Sequence, residues 1–293
     1  MNGCDYAIVN ARGDVVERSP RLPRSVAIRS CAKPFQMLPV CLLGLEDRYR
    51  LTSRELTILS SSQLAQSNQV EVLQSLLEKT QIRLTDLHLP MSAPTGRQAY
   101  RNWRRLHQRK STLYHPCIGN HIAMFLIERA LTGDGADYLN PDCEAQRMIG
   151  RLVYEFAATD DIAVSVDGCG APCYRMSLPS LATLYCGLTE GRAQTVYRRY
   201  EKPICRLRNA FRATPVYLEG DGCLSTILTD CDGIVGKAGA DGTLAIGIDG
   251  ATLGIAISSP ERDWASVART AQSILLALRC GNEQLQRRLA TVE

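Results

Sequence analysis

Two short runs rich in aromatic and β-branched residues open the chain, Tyr6 to Val9 and Val15 to Glu17. They flank Asn10-Ala11-Arg12-Gly13-Asp14, and a glycine-bearing turn between such runs predicts a β-hairpin. Pro20 and Pro23 break the chain before a short apolar strand, Val26 to Ile28. The pattern then becomes helical. Met37, Leu38, Val40, Cys41 and Leu42 predict a helix that opens near Ser30 and stops at Gly44. Pro34 is compatible only with its first turn, which places Ser30 at or near the N-cap.

Thr52-Ser53-Arg54-Glu55 has the spacing of a capping box and starts a second helix, which runs into Ser60-Ser61-Ser62. Val70, Leu73 and Leu77 share one face of a third helix, Val70 to Lys79. Residues 84 to 120 are polar and basic, and Pro-rich in part. They read as loops bordering a site, with one helix at Arg97 to Gln108. Helical spacing returns at Asn120 to Leu131, Arg147 to Ala157, Leu178 to Tyr185 and Thr195 to Ala210, with a short buried strand at Ile162 to Val166.

Near the end the pattern shortens again. Ser225 to Thr229, Ile234 to Lys237, Leu244 to Ile248 and Gly254 to Ile257 predict an antiparallel meander, followed by a helix from Trp264 to Leu278. Strands at both ends and helices between them predict an α+β fold. One antiparallel sheet is built from both termini, and the helices form an insertion. The expected organisation is one compact unit over 1-293, with a sheet-bearing part at 1-62 and 205-293 and a helical insertion at 63-204.

Composition narrows the class. The chain has 293 residues, 45% of them hydrophobic, enough for a large core. The net charge of +4 is too slight to argue for nucleic acid or a membrane surface. The basic stretch Arg97 to Lys110, with Arg101, Arg104 and Arg105 around Trp103, reads as a solvated helix face. No run approaches the eighteen or so apolar residues of a membrane span. The first residues show no charged-then-apolar signal pattern, so a cytoplasmic setting is expected. In a reducing compartment the twelve cysteines are then buried hydrophobes, metal ligands or nucleophiles rather than bridges. Cys41, Cys186 and Cys205 sit singly in apolar context, which suits burial.

Chemistry concentrates in Arg29-Ser30-Cys31-Ala32-Lys33-Pro34-Phe35-Gln36. Ser30 and Lys33 lie three apart and share a face of a helical segment. A neutral lysine amine beside a hydroxyl can take its proton, and the alkoxide can then attack a carbonyl. Taken alone, S-x-x-K is a weak signal, and the commoner reading is a serine cap with a solvated lysine in the first turn.

Four further segments stand in order behind it: Glu55-Leu56-Thr57-Ile58 through Ser62 to Val70, Cys117-Ile118-Gly119-Asn120-His121, Asp167-Gly168-Cys169-Gly170-Ala171-Pro172, and Gly236-Lys237-Ala238-Gly239-Ala240-Asp241-Gly242. Together the five resemble the Rhizobium-type L-asparaginase family, often called asparaginase II. The resemblance implies a fold like that of serine β-lactamases and glutaminases. It also implies a homodimer acting on a small amide such as L-asparagine, with no organic cofactor. Carried over residue by residue, it implies two catalytic pairs, Ser30 with Lys33 and Ser62 with Lys237. Arg29, Asp167 and His121 would line the substrate site.

The resemblance further implies a zinc ion held by Cys117, Cys169 and a lysine. Asn120 stands at the lysine position, and an amide is a poor zinc ligand. His121 or Cys173 would have to replace it, or the site would lack metal. The family's S-H-S-G-E-P reads Ser62-Gln63-Leu64-Ala65-Gln66-Ser67 here, so an imidazole and a carboxylate are missing beside Ser62. Such losses change which polar groups of a substrate are satisfied. Three readings stand at this level: an asparaginase-like amidohydrolase, an acyl-transfer enzyme of altered specificity on the same scaffold, and a non-catalytic amino-acid-binding relative.

Overall fold

A computed structural model describes residues 3–189 and 196–292. Five antiparallel strands form the main sheet: β1 (Asp5–Val9), β2 (Val15–Arg18), β6 (Ile234–Ala238), β7 (Thr243–Ile248) and β8 (Leu253–Ser258), in the order β2-β1-β8-β7-β6. Both ends of the sequence thus build one sheet. The register pairs Tyr6 with Ile257, Ile246 with Ile255 and Lys237 with Ala245.

Alternation along these strands makes two cores. Tyr6, Ile8, Leu244, Ile246, Ile255 and Ile257 face Val267, Ala271, Ile274 and Leu275 of the helix Trp264–Ala277. Ala7, Val9, Val235, Ala245 and Ala256 join the larger core under the helical part. Each large aliphatic side chain so buried is worth roughly 1.5–3 kcal/mol. The helix Leu178–Cys186 lies directly on the sheet. At Gly254 a Cβ atom would stand 1.8 Å from the Ala182 carbonyl oxygen, so only glycine lets the helix approach so closely.

The helix Lys33–Leu42 runs through the middle of the molecule, nine of its ten residues buried, which is why it is apolar all round. It packs against the helices Ile118–Thr132, Glu144–Ala157 and Val196–Ala213. Phe35 meets Phe156 and Tyr185 edge-on at centroid distances of 5.3 and 5.7 Å. The capping box of the helix Ser53–Leu59 is formed as expected: Thr52 N donates to Glu55 Oε2 at 2.7 Å, and Glu55 N to Thr52 Oγ1 at 3.3 Å.

Several expectations need correction. Ser225 to Thr229 is not a strand but part of a buried helix, Leu224–Thr229, laid against β6. A short apolar run bounded by turns carries no periodicity to separate the two. A second sheet joins β3 (Val26–Ala27), β5 (Pro172–Met176) and β4 (Ala163–Val166), in the order β3-β5-β4. Sequence pattern did not anticipate β5, and β3 pairs with it rather than with the main sheet. Expected to be buried, β4 is exposed along its length, at the edge of this small sheet. Ser30 does not cap the central helix: it lies in a 3₁₀ turn, Arg29–Ala32, and Ala32 is the N-cap residue. Cys205 is only half-buried. Of the helix expected from Thr195, the first residue falls outside the described residues, and the helix continues to Ala213.

Candidate active site

Distant parts of the chain converge on one cavity of about 440 Å³, whose walls include Arg29, Ser30, Lys33, Ser62, Cys117 and Asp167, and three segments bring the serines and lysines to it. The first segment is the 3₁₀ turn that follows β3. Ile28 N donates to Tyr174 O at 3.0 Å, and Tyr185 Oη donates to Cys31 O at 2.9 Å, so the turn is fixed from two sides. The Cys31 thiol is wholly buried, donates to Lys237 O at 3.1 Å, and is pushed up to about 12 by that burial.

The second segment is the serine run after the helix Ser53–Leu59. Ser62 N donates to Leu218 O at 2.9 Å, and Gln63 N to Pro116 O at 3.2 Å. These bonds replace helical ones and turn the Ser62 hydroxyl into the cavity. The third segment is the end of β6, an edge strand whose Lys237 side chain is 1% exposed.

Both lysines reach the same hydroxyl. Lys33 Nζ stands 3.2 Å from Ser62 Oγ, and Lys237 Nζ stands 3.1 Å from it. Lys33 also donates to Ser61 O at 2.6 Å, and Lys237 to Ala238 O at 2.8 Å. The pairing of Ser62 with Lys237 matches the expected one. Lys33 differs, because its amine is directed at Ser62 instead of Ser30. Ser30 lines the cavity, and its hydroxyl has no partner among the described residues. Burial, and then the nearby charge of Lys33, push the Lys237 amine below an ordinary lysine, although Glu219 opposes this.

Arg29 forms one side of the rim. Its Nε donates to Asp167 Oδ2 at 2.7 Å and its Nη1 to Asp241 Oδ2 at 2.8 Å. Its backbone takes φ +46°, an uncommon conformation for a side chain of this size, held in place by the two ion pairs. Nη2 takes part in neither bond. Asp167 sits in the β4–β5 turn, where Oδ1 accepts from Gly168 N at 2.5 Å.

His121 was expected at the substrate, and the fold places it elsewhere. It is completely buried, absent from the cavity wall, and its Nδ1 lies 2.8 Å from Tyr138 Oη. Burial pushes it down to about 3, so the ring is neutral. Helical geometry explains this: Cys117 caps the helix Ile118–Thr132, and a residue four positions later lies one turn deeper in the core.

Cys117 and Cys169 meet through a hydrogen bond between their thiols. That bond and the nearby charge of Lys33 hold Cys117 well below an ordinary thiol, while Cys169 is pushed well above. The set does not fit a zinc centre. Among the described residues no group of three His, Cys, Asp or Glu side chains is placed to hold a metal. Asn120 donates through Nδ2 to Gln36 Oε1 at 3.4 Å, and Lys33 Nζ lies 3.6 Å from Cys117 Sγ. A closed zinc site needs four ligands; the two thiols and the neighbouring His115, whose Nδ1 accepts from Cys117 N at 3.1 Å, do not make up such a set.

Two site residues escaped sequence reading. Ser225 Oγ accepts from Ala238 N at 2.9 Å and lies 3.4 Å from Lys237 Nζ. Glu219 lines the cavity, and its Oε2 accepts from Ser225 N at 3.1 Å. The only local signal for Glu219 is a carboxylate within a glycine-bearing turn, Glu219-Gly220-Asp221-Gly222.

No functionally curated protein matches the chain. Among solved structures, a β-lactamase from Mycobacterium bovis is 14% identical with a TM-score of 0.44, over 94% of this chain and 95% of that one. EstCE1, described as a hydrolase with promiscuous acyltransferase activity, is 12% identical with a TM-score of 0.41, over 98% and 93%. Likeness at that level says nothing about activity. The profile of L-asparaginase II, in contrast, matches residues 2–292. The chain belongs to the L-asparaginase II family, and with it to the hydrolases of C–N bonds.

Proposed function

We propose that the protein hydrolyses a side-chain amide, L-asparagine or a related small amide, with Ser62 as nucleophile and Lys237 as its base. The observation that carries this is the placement of two lysine amines within 3.2 Å of one serine hydroxyl. Lys237 has two further acceptors, Ala238 O and Ser225 Oγ. A neutral amine that donates to both turns its lone pair toward the Ser62 hydroxyl.

In this reading Lys237 takes the Ser62 proton, and Oγ attacks the amide carbon. Lys33, also in reach of Ser62, stabilises the charge that develops. The C–N bond breaks, the leaving nitrogen takes the proton, and ammonia departs. Water then gives a proton to the same amine and attacks the ester, and the acid leaves with Ser62 restored. The free edge of Arg29 holds a carboxylate on the substrate, and Asp167 orients Arg29. Ser30 faces the bound amide across the cavity. No step passes through a metal. Ammonia release from L-asparagine and a panel of primary amides, with a covalent acyl adduct mapped to Ser62 by mass spectrometry, tests the proposal. An adduct on Ser30 would reverse the roles of the two serines.

A second reading, transfer of the acyl group to an amine or alcohol, has support in the altered wall beside Ser62. Gln63 stands where the family has histidine, and its side chain is buried. Nε2 donates to His115 O at 2.9 Å, and Oε1 accepts from Ala65 N. Gln63 therefore offers nothing to a substrate. Adding hydroxylamine to the assay separates the two readings, since transfer would yield a hydroxamate at the expense of the acid.

A further inference from the structure

A second cavity, of about 360 Å³, opens beside the reaction cavity. Glu219, Ala238 and Trp264 belong to the walls of both. The seam is close to the chemistry, because Ala238 follows Lys237 in β6 and its carbonyl receives the Lys237 amine. Beyond the seam the wall is mixed: Cys223, Leu224 and Val292 stand beside Gly222 and Thr291. Trp264 is half-buried and is one of only two tryptophans in the chain, so an indole ring borders both spaces. Asp263 caps its helix by accepting from Ser266 N at 3.1 Å, which fixes the ring's attachment.

The wall next to Ser62 is mixed as well: the Gln63 amide is bound to backbone, Leu64 and Pro116 stand beside it, and Thr95 and His115 complete it. A free amino acid would present its ammonium and carboxylate to this cavity, where the charged groups are Arg29, Lys33, Asp167 and Glu219. The two joined spaces together suit a ligand well above the size of an amino acid, with an apolar part and a few polar anchors.

We propose that the preferred substrate is an amide bearing an apolar substituent of about phenyl size. The substituent lodges in the side cavity against Trp264 while the amide carbon reaches Ser62. This rests on the amidase reading above. The reaction is the same hydrolysis: water is consumed, the C–N bond breaks, and an acid and an amine or ammonia leave. The apolar group belongs either to the acyl part or to the leaving amine, and the cavity recognises the same chemistry in both cases.

Two measurements test this. In the first, kcat/KM is compared for butanamide, 4-phenylbutanamide and N-benzylbutanamide, in the wild type and in Val292→Trp, which fills the side cavity. Val292 lies outside the reaction cavity. At least one phenyl-bearing amide should be turned over tenfold or more better than butanamide. The better of the two shows which side of the amide carries the group. Val292→Trp should remove the advantage and leave butanamide within about twofold. Equal rates for all three amides, or an equal loss on all three in the variant, would overturn the proposal.

The second measurement is independent of turnover. Calorimetry on Ser62→Ala should show 4-phenylbutanamide binding at least tenfold tighter than butanamide, and the difference should vanish on adding Val292→Trp or Cys223→Phe. Binding with that pattern but no turnover by the wild type would overturn the amidase reading and leave the cavity assignment standing. Binding without the phenyl preference would overturn the cavity assignment alone.

Discussion

The Ser62 hydroxyl lies 3.1 Å from the amine of Lys237, a residue 175 positions away in sequence. Lys33, expected beside Ser30, completes the same triangle at 3.2 Å. The two serines are therefore unequal, which gives a direct test. Ser62→Ala should lower kcat by about three orders of magnitude or more, the usual cost of losing an activated nucleophile. Ser30→Ala should cost far less, about tenfold, because no amine activates that hydroxyl. Steady-state kinetics on the two variants would decide; equal losses would remove Ser62 from its special place.

The electrostatics of Lys237 predict a pH profile. Its amine is held below the ordinary lysine value, chiefly by burial and then by Lys33, while Glu219 opposes the shift. Only the neutral amine accepts a proton, so kcat/KM should rise with pH through an apparent pKa below 10.5. Removing the Glu219 charge with Glu219→Gln takes away the opposing effect. The Lys237 value falls further, and the rising limb moves to lower pH. A limb that stays put, or moves to higher pH, would show that another group titrates.

Arg29 holds Asp167 and Asp241 through two different nitrogens, a geometry that a lysine cannot copy. Arg29→Lys should raise KM for a carboxylate-bearing amide about tenfold or more, with a smaller effect on a neutral amide of the same shape. Loss of that difference between the two substrates would detach Arg29 from carboxylate recognition.

Two thiols with no third ligand placed to close the set make a poor zinc site. Elemental analysis of protein purified without added metal should give well below one zinc per chain, and a chelator should leave the rate of amide cleavage unchanged. Stoichiometric zinc that survives dialysis would show that the side chains around Cys117 rearrange to supply the missing donors.

The sheet itself offers a stability test. Gly254→Ala would drive a Cβ atom to 1.8 Å from the Ala182 carbonyl oxygen, a backbone atom that cannot step aside. The cost should be about 3 kcal/mol, at the upper end for an overpacked core. A shift of the urea midpoint to lower denaturant would show it, and an unchanged midpoint would mean that the helix Leu178–Cys186 sits further from the sheet.

Local rules made much of this protein legible in its sequence. The Asn10 to Asp14 turn joins two strands as its composition indicates, and Thr52 and Glu55 close their capping box through bonds three residues apart. The meander at β6, β7 and β8 follows from β-branched runs separated by Gly and Asp. The motifs around Ser30, Ser62, Cys117, Asp167 and Lys237 marked where chemistry would concentrate, because each is a short string whose residues stay together however the chain folds. Tertiary structure decided what no short string contains. It put Lys33 on Ser62, since the 3₁₀ turn at Arg29–Ala32 separates Ser30 from the helix that carries the lysine. It buried His121 one helical turn behind Cys117 and folded Gln63 onto the backbone. It also brought Ser225 and Glu219 beside Lys237. A side chain's partners depend on which elements pack together, and packing depends on the summed burial of many residues, so these assignments lie beyond any local reading of the chain.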